Sequence, residues 1–254
     1  MDKSIAEKPD YGNWVSPRFI YIPGVMSLLF LGLSCAYLPL IVVGGFCLLV
    51  SAYFAYARYC FAPAGGNLQA QIRDLVLAHL AWNGKGKALD IGCGNAPLVI
   101  KLAQKYPEAR IMGLDYWGKM WGYSKSVCER NAKTEGVAKR VIFQNASGSA
   151  LPFKDECFDV VVSNLAFHEV RDMKDKREVI REALRVVRKG GRFVFQDLFL
   201  MRRIYGRTDA LLATVRSLGI TRAEFVKTGD APFIPRVLKL NFMVGALGIL
   251  HGEK

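Results

Sequence analysis

Ala88-Leu89-Asp90-Ile91-Gly92-Cys93-Gly94-Asn95-Ala96-Pro97 is the stretch that decides the fold. A short apolar run ends in an acid and two glycines, and Leu98, Ile100, Leu102 and Ala103 follow at helical spacing. That pattern describes a strand feeding a tight turn and then a helix. Lacking a Cβ, Gly92 and Gly94 let a ligand approach the backbone closely. The helix beyond them presents unpaired N–H groups and the positive end of its dipole, which suits an anionic group. A G-x-G alone also serves an ordinary strand-to-helix turn, so its meaning depends on the rest of the chain.

Downstream, strand and helix patterns alternate. Strands fall near Lys87–Ile91, Arg110–Leu114, Val141–Gln144, Phe158–Ser163 and Arg192–Asp197, with helices near Leu98–Lys105, Trp121–Thr134 and Asp175–Val187. A helix at Asp209–Leu218 and strands near Glu224–Thr228 and Gly245–His251 complete the pattern. Such alternation specifies a parallel, doubly wound sheet. Upstream, Leu68 to Trp82 carries Leu68, Ile72, Leu75, Val76 and Leu80 on one stripe of a helix, and His79 beside it reads as a packing residue.

Farther upstream the character changes. No charged residue occurs between Arg18 and Arg58, an interval about twice the roughly 20 residues that one membrane span requires. Leu38-Pro39 lies at its midpoint, where a proline breaks a helix. The reading is a transmembrane helical hairpin, about Phe19–Tyr37 and Leu40–Ala57, with a re-entrant, one-leaflet hairpin as the alternative; Trp14, Phe19 and Tyr21 lie at one end and Tyr53, Tyr56, Tyr59 and Phe61 at the other. Arg18 and Arg58 bracket an uncharged turn, so both termini are expected on the cytoplasmic side of a multi-pass protein. The domain boundaries are a frayed tail at 1–18, the hairpin at 19–58, a linker at 59–67 and a catalytic domain at 68–254.

The net charge is +13, and all but one of those charges falls after Cys60. A basic domain points to anionic partners, either nucleic acid or a membrane face. The six cysteines show neither a C-x-x-C pair nor zinc spacing and read as reduced thiols, so no metal is expected.

In doubly wound sheets the ligand sits at the carboxyl ends of the strands. Those ends here carry Asp90 to Gly94, then Asp115, then Asn145-Ala146-Ser147, then Ser163-Asn164-Leu165-Ala166-Phe167-His168-Glu169. With Gly113-Leu114-Asp115, Leu151-Pro152-Phe153, Phe158 to Ser163 and Leu184 to Arg192, the set resembles the class I S-adenosylmethionine-dependent methyltransferases over about Gly86 to Lys254. The resemblance implies a seven-stranded Rossmann-like sheet whose last strand is antiparallel and inserted beside the fifth.

It also implies a cofactor site for S-adenosylmethionine formed by Asp90, Gly92, Cys93, Gly94, Asn95, Asp115, Tyr116, Ala146, Ser147, Asn164 and Leu165. Gly92 and Gly94 would pass under the methionine part, Asp115 would hold the ribose hydroxyls with Tyr116 on the adenine, and Asn164 and Leu165 would line the sulfonium side. Two positions depart from the family: Ala96 stands where a third glycine is common, and Ser147 where an adenine-binding acid is usual.

Methyl transfer needs alignment and exclusion of water. An oxygen or nitrogen acceptor also needs a base, for which His168 is the candidate, with packing against cofactor or substrate as the alternative. Glu169 reads as a cap or salt-bridge residue. Trp117, Trp121 and Phe167 read as an aromatic wall or as helix packing. Two segments, Phe199 to Tyr205 and Phe233 to Leu240, mix apolar and basic residues and are expected to face the bilayer. The function expected is methylation of a small, apolar or lipid-like acceptor by a membrane-anchored enzyme. RNA methylation is the rival that the charge suggests, but the chain has no aromatic-basic RNA module and no nucleic-acid partner is expected. A cofactor-binding protein without turnover is a second rival. An NAD(P)-dependent dehydrogenase is the least favoured, because Pro97 occupies the sixth position of the dinucleotide fingerprint.

Overall fold

The computed structural model describes residues 8–118 and 122–254. Helices α1 (Arg18–Leu33), α2 (Leu40–Phe61) and α3 (Leu68–Ala78) come first. Then follow β1 (Gly86–Ile91), α4 (Pro97–Lys105), β2 (Ala109–Asp115), α5 (Lys125–Thr134), β3 (Val141–Asn145), β4 (Phe158–Asn164), α6 (Lys176–Arg185), β5 (Val187–Asp197), α7 (Arg202–Tyr205), α8 (Thr208–Arg216), β6 (Arg222–Lys227) and β7 (Gly248–Glu253). Two compact units form, one from Gly12–Ile72 and one from residues 8–11 with Arg73–Lys254.

In the larger unit the seven strands lie in the order β3-β2-β1-β4-β5-β7-β6. β1 to β5 are parallel, and β7 runs antiparallel between β5 and β6. Side chains alternate along each strand, so Ala88, Val160, Val162 and Val194 enter one core with α4 and α5. Leu89, Val161, Phe193 and Phe195 enter the other core with α6 and α8. With both faces covered the central strands read as nearly continuous apolar runs. β5 begins five residues earlier than its apolar pattern, because Val187 already pairs with Phe158 before the ladder shifts register.

The smaller unit contains the helical hairpin. α1 ends at Leu33, short of the expected Tyr37, because the chain already turns at residues 34–37, where Cys35 N donates to Gly32 O and Ala36 N and Tyr37 N to Leu33 O, and Pro39 then stands at the N-cap of α2. The 16 residues of α1 rise about 24 Å, below the roughly 30 Å of a bilayer core. Among the described residues α2 alone is long and apolar enough to cross a membrane, at 22 residues and a mean hydropathy of 2.1. The two full spans read from the sequence are therefore corrected to one long helix and one short partner.

Small residues set how closely the two helices pack. Ser27 Oγ donates to Gly44 O at 2.9 Å, and Ser51 Oγ donates to Ile20 O at 2.9 Å. A Cβ on Gly44 would lie 2.7 Å from Leu31 Cγ, whereas one on Gly45 would meet nothing within 4 Å. This is the close approach that small residues permit in apolar helix pairs. Gly44→Ile should therefore destabilise the hairpin by about 1–3 kcal/mol through overpacking. Gly45→Ile gains the same helix propensity without that cost. Hydrogen exchange across α1 in detergent should speed up in the first variant only; equal exchange in both would remove Gly44 from the helix interface.

Candidate active site

β1 lies between β2 and β4, where the strand order reverses and doubly wound sheets bind ligands. At its end Gly92 N and Cys93 N both donate to Leu114 O, at 2.7 and 3.0 Å. Gly92 adopts φ +73°, and a Cβ there would fall 2.0 Å from the Ala166 methyl, so only glycine lets this turn meet the loop after β4. Asp115, at the end of β2, closes the turn from the other side. Its Oδ2 accepts from Gly94 N at 2.8 Å and its Oδ1 from Trp117 N at 2.7 Å, while Trp117 Nε1 donates to Gly94 O at 2.9 Å. A carboxylate has about four lone-pair positions, so Asp115 keeps acceptor capacity for a ligand's hydroxyls. Burial raises its pKa, against backbone donors that lower it.

Beneath the turn the support is polar and buried. Cys93 and Asn95 point inward; burial raises the Cys93 thiol well above its usual range. Cys128 Sγ donates to Gly94 O at 3.0 Å. Asn131 Nδ2 donates both to Asn95 O at 3.0 Å and to Asp10 O at 2.8 Å, and Asp10 N donates back to Asn131 Oδ1 at 2.9 Å. Tyr11 OH donates to Glu135 at 3.0 Å. The segment at Asp10-Tyr11, read from the sequence as frayed, is thus fastened to α5 beside the turn.

Asp90 is buried, and its Oδ1 meets no hydrogen-bond donor among the described residues. Burial and the charge of Asp115 push its pKa up to about 8, with Arg73 opposing. Arg73, itself buried, has its pKa lowered to about 10 by burial, against the opposing pull of Tyr123, Tyr11, Asp90 and Asp74. An orphaned acceptor beneath a glycine turn fits a cofactor whose amino-acid end carries an ammonium group. S-adenosylmethionine is such a cofactor, and Asp115 suits its ribose.

The loop after β4 brings the remaining groups to the same end of the sheet. Asn164 Nδ2 donates to Gln196 Oε1 at 2.5 Å, and Gln196 Nε2 donates to Thr228 Oγ1 at 2.8 Å. Leu165 adopts φ +59°, a conformation costly for a branched residue and one found disproportionately at functional sites. His168 Nδ1 lies 2.7 Å from Asp197 Oδ1, and its Nε2 lies 3.4 Å from Glu169 Oε1. Asp197 is fully buried and also accepts from Phe167 N and Leu198 N. Burial alone would lower the His168 pKa; the Asp197 and Glu169 carboxylates outweigh it and raise the pKa to about 10. The stability this pair contributes is complete below pH 6.5 and is lost as pH rises through 10.

Other expected residues divide by place. Tyr116 is largely exposed, and Ala146 is half-buried with its N–H on Asp115 O. The Ser147 hydroxyl is bonded to Asp172 at 3.1 Å, so a carboxylate does reach this corner, from a distant position in the chain. Phe167 is fully buried against Phe195 and is a core residue, not part of an aromatic wall. Trp121 lies outside the described residues. Sequence reasoning missed Arg73, Asp197 and Asp172. Arg73 had a signal, since a charge inside the apolar stripe Ile72, Leu75, Val76 must be buried. Asp197 had one too, as an acid ending a strand at the ligand end of the sheet. Asp172 had none.

Fold and site resemble those of a class I methyltransferase domain, and comparison with known proteins agrees. Residues 89–195 match the family model described as a methyltransferase domain. The chain is 32% identical over 149 residues to 27-O-demethylrifamycin SV methyltransferase of Amycolatopsis mediterranei, covering 59% of this chain and 52% of that protein. It is 30% identical over 160 residues to the ubiquinone/menaquinone biosynthesis C-methyltransferase UbiE of Geobacter sulfurreducens, covering 61% and 59%. The chain thus spans little more than half the length of these curated relatives. The fold also resembles geranyl diphosphate C-methyltransferase of Streptomyces coelicolor, solved with S-adenosyl-L-homocysteine, at a TM-score of 0.53 and 15% identity over 74% of this chain and 80% of that one. Residues 89–195 are thus similar to the methyltransferase domain, and S-adenosylmethionine is the cofactor that this similarity indicates.

Asp90 gives this assignment a pH signature. A carboxyl group held neutral up to about pH 8 must ionise to meet a cationic ligand, so binding releases a proton below that pH. Affinity for S-adenosylmethionine should rise from pH 6 to 8 and level off above. Asp90→Asn should bind more weakly and lose that rise. Calorimetry in buffers of different ionisation enthalpy measures the proton directly; no proton release at pH 7 would separate Asp90 from the cofactor.

Proposed function

We propose that this chain is a membrane-anchored methyltransferase that moves a methyl group from S-adenosylmethionine to a small, apolar acceptor. The observation that carries the reading is the convergence of three features at one end of the sheet: the glycine turn, Asp115 and the His168–Asp197 pair. The cofactor, when bound, supplies an electrophilic methyl group. Gly92 and Gly94 with Asp90, Cys93 and Asn95 form the turn that holds its methionine part. Asp115 takes the ribose hydroxyls, Tyr116, Ala146 and Ser147 border the adenine, and Asn164 and Leu165 line the methyl side.

His168 is the base in this reading. Asp197 fixes the ring through Nδ1, and Nε2, 3.4 Å from Glu169 Oε1, is the nitrogen that would take the acceptor's proton. As the acceptor's nucleophilic atom gains the methyl group, its proton passes to Nε2. With a pKa near 10, only about one His168 in a thousand is neutral at pH 7, so the base is scarce there and becomes abundant as pH rises. The relatives named for rifamycin and for quinone biosynthesis support an organic small-molecule acceptor.

Membrane anchoring rests on the hairpin. Phe19, Leu28, Leu29, Val42, Phe46 and Leu49 are all exposed on it, a belt that a water-facing helix pair would bury. Ser51 lies opposite Ile20, so α2 continues for ten residues past the level of Ile20, through Tyr53, Tyr56, Arg58 and Tyr59. The apolar depth common to both helices is therefore about 24 Å. The hairpin inserts from one face, with Arg18 and Arg58 on the same side, the cytoplasmic side by the charge rule.

Incubation of the detergent-purified full chain with methyl-labelled S-adenosylmethionine and a membrane lipid extract should move label into the organic phase. The rate should climb up to tenfold per pH unit between 7 and 9. His168→Gln should lower it by about 10²–10⁴ and flatten the profile without weakening cofactor binding. An unchanged rate and profile would make His168 a packing residue.

A further inference from the structure

Outside the hairpin, large exposed apolar side chains are few among the described residues: Tyr116, Ile142, Val237, Leu240 and Phe242. Three of the five fall within six residues of sequence, at 52%, 43% and 62% exposure. Single exposed apolar residues are ordinary, but a cluster marks a contact surface. Arg236 and Lys239 are interleaved with them and exposed. No carboxylate occurs in the sequence between Asp230 and Glu253.

The segment is held firmly. A 3₁₀ turn at Arg236–Leu238 buries Leu238 fully, with Ile234 and Val244 buried on either side. Leu238 N donates to Pro235 O, Lys239 N to Arg236 O, Val244 N to Leu238 O and Gly245 N to Leu240 O, at 2.9 to 3.1 Å. The backbone thus turns one set of apolar side chains inward and presents another outward alongside two cations.

Its position follows from the sheet. Lys227 at the end of β6 pairs with Gly248, and Gly248 pairs with Asp197 at the end of β5. The connection from β6 to β7 therefore leaves the sheet at the end where Asp197 holds His168. Leu200 N donates to Ala246 O at 3.1 Å, tying the loop after β5 to the same place. That loop adds exposed Arg202 and Arg203 but no large exposed apolar side chain, since Phe199 and Tyr205 are buried and Leu200, Met201 and Ile204 are only partly exposed. Arg207 just beyond pairs with Asp209; none of Arg202, Arg203, Arg236 and Lys239 forms an ion pair among the described residues.

We propose that the exposed face of residues 235–242, with Val237, Leu240 and Phe242 beside Arg236 and Lys239, is a second membrane contact that docks the ligand end of the catalytic domain against an anionic lipid surface. Unpaired cations beside outward apolar side chains match an interface of lipid phosphates and acyl chains. Each lysine or arginine near such a surface strengthens docking about fivefold. The contact would open the acceptor's route from the bilayer toward His168. It deepens the membrane-anchored reading above and is separable from it.

The test is hydrogen exchange of the full chain in nanodiscs of phosphatidylcholine with and without phosphatidylserine. Amides of 235–243 should be protected in the anionic discs only, with protection lost at high salt. Arg236→Gln with Lys239→Gln should abolish that protection while cofactor affinity and exchange across β1–β5 stay unchanged. Equal exchange of 235–243 in both discs overturns the contact even if α1 and α2 are protected. Protection of 235–243 without protection of α2 upholds the contact and removes the hairpin anchor. Protection by a short RNA and not by anionic lipid also overturns it.

Discussion

The carboxylate of Asp115 is the constraint on which the site depends. It accepts from Gly94 N on one side and Trp117 N on the other, and Trp117 returns a bond to Gly94 O. Two strand ends thereby become one cradle. Charge-assisted bonds of this kind are stronger than neutral ones, which matters where glycines leave the backbone otherwise unconstrained. The close approach of Gly92 to Ala166 then joins the cradle to the loop after β4. Asn164, Leu165 and His168 follow from that junction.

The charges around this cradle are balanced for a cationic guest. Asp90 and Asp115 are both buried acids with raised pKa values, and Arg73 offsets them from the side of α3. Two neighbouring carboxylates cannot both ionise cheaply at low dielectric, so one holds a proton until a cation arrives. On the other wall, Asp197 and Glu169 hold a proton on His168. Proton inventory, more than shape, distinguishes this site from a generic turn between strand and helix.

Much of the fold was legible because it is local. Alternation of apolar runs located all seven strands, and Leu89-Asp90-Ile91-Gly92-Cys93-Gly94 located the ligand end. The misreadings had local causes as well. The absence of charge and the break at Pro39 carried α1 to Tyr37, whereas the chain leaves the helix at Leu33 through turn bonds that no apolar pattern announces. Composition alone made residues near Tyr11 a tail, although Asn131 and Glu135 fasten Asp10 and Tyr11 to the domain. Asp172 reaches Ser147 only through the folded chain, and no spacing rule announces such a pairing. Phe167 looked like a pocket aromatic because aromatic character says nothing about which face of a loop is buried.

The central claim is that Asp115 organises a cradle for S-adenosylmethionine. Calorimetric titration of the detergent-purified full chain with S-adenosylmethionine, S-adenosylhomocysteine and NADH, beside the Asp115→Asn variant, tests it most directly. The account requires binding of the first two and not the third. It also requires at least about a tenfold loss in the variant, in line with about 1.5–3 kcal/mol for a hydrogen bond to a charged group. Binding of NADH, or an Asp115→Asn variant with unaltered affinity, would contradict it.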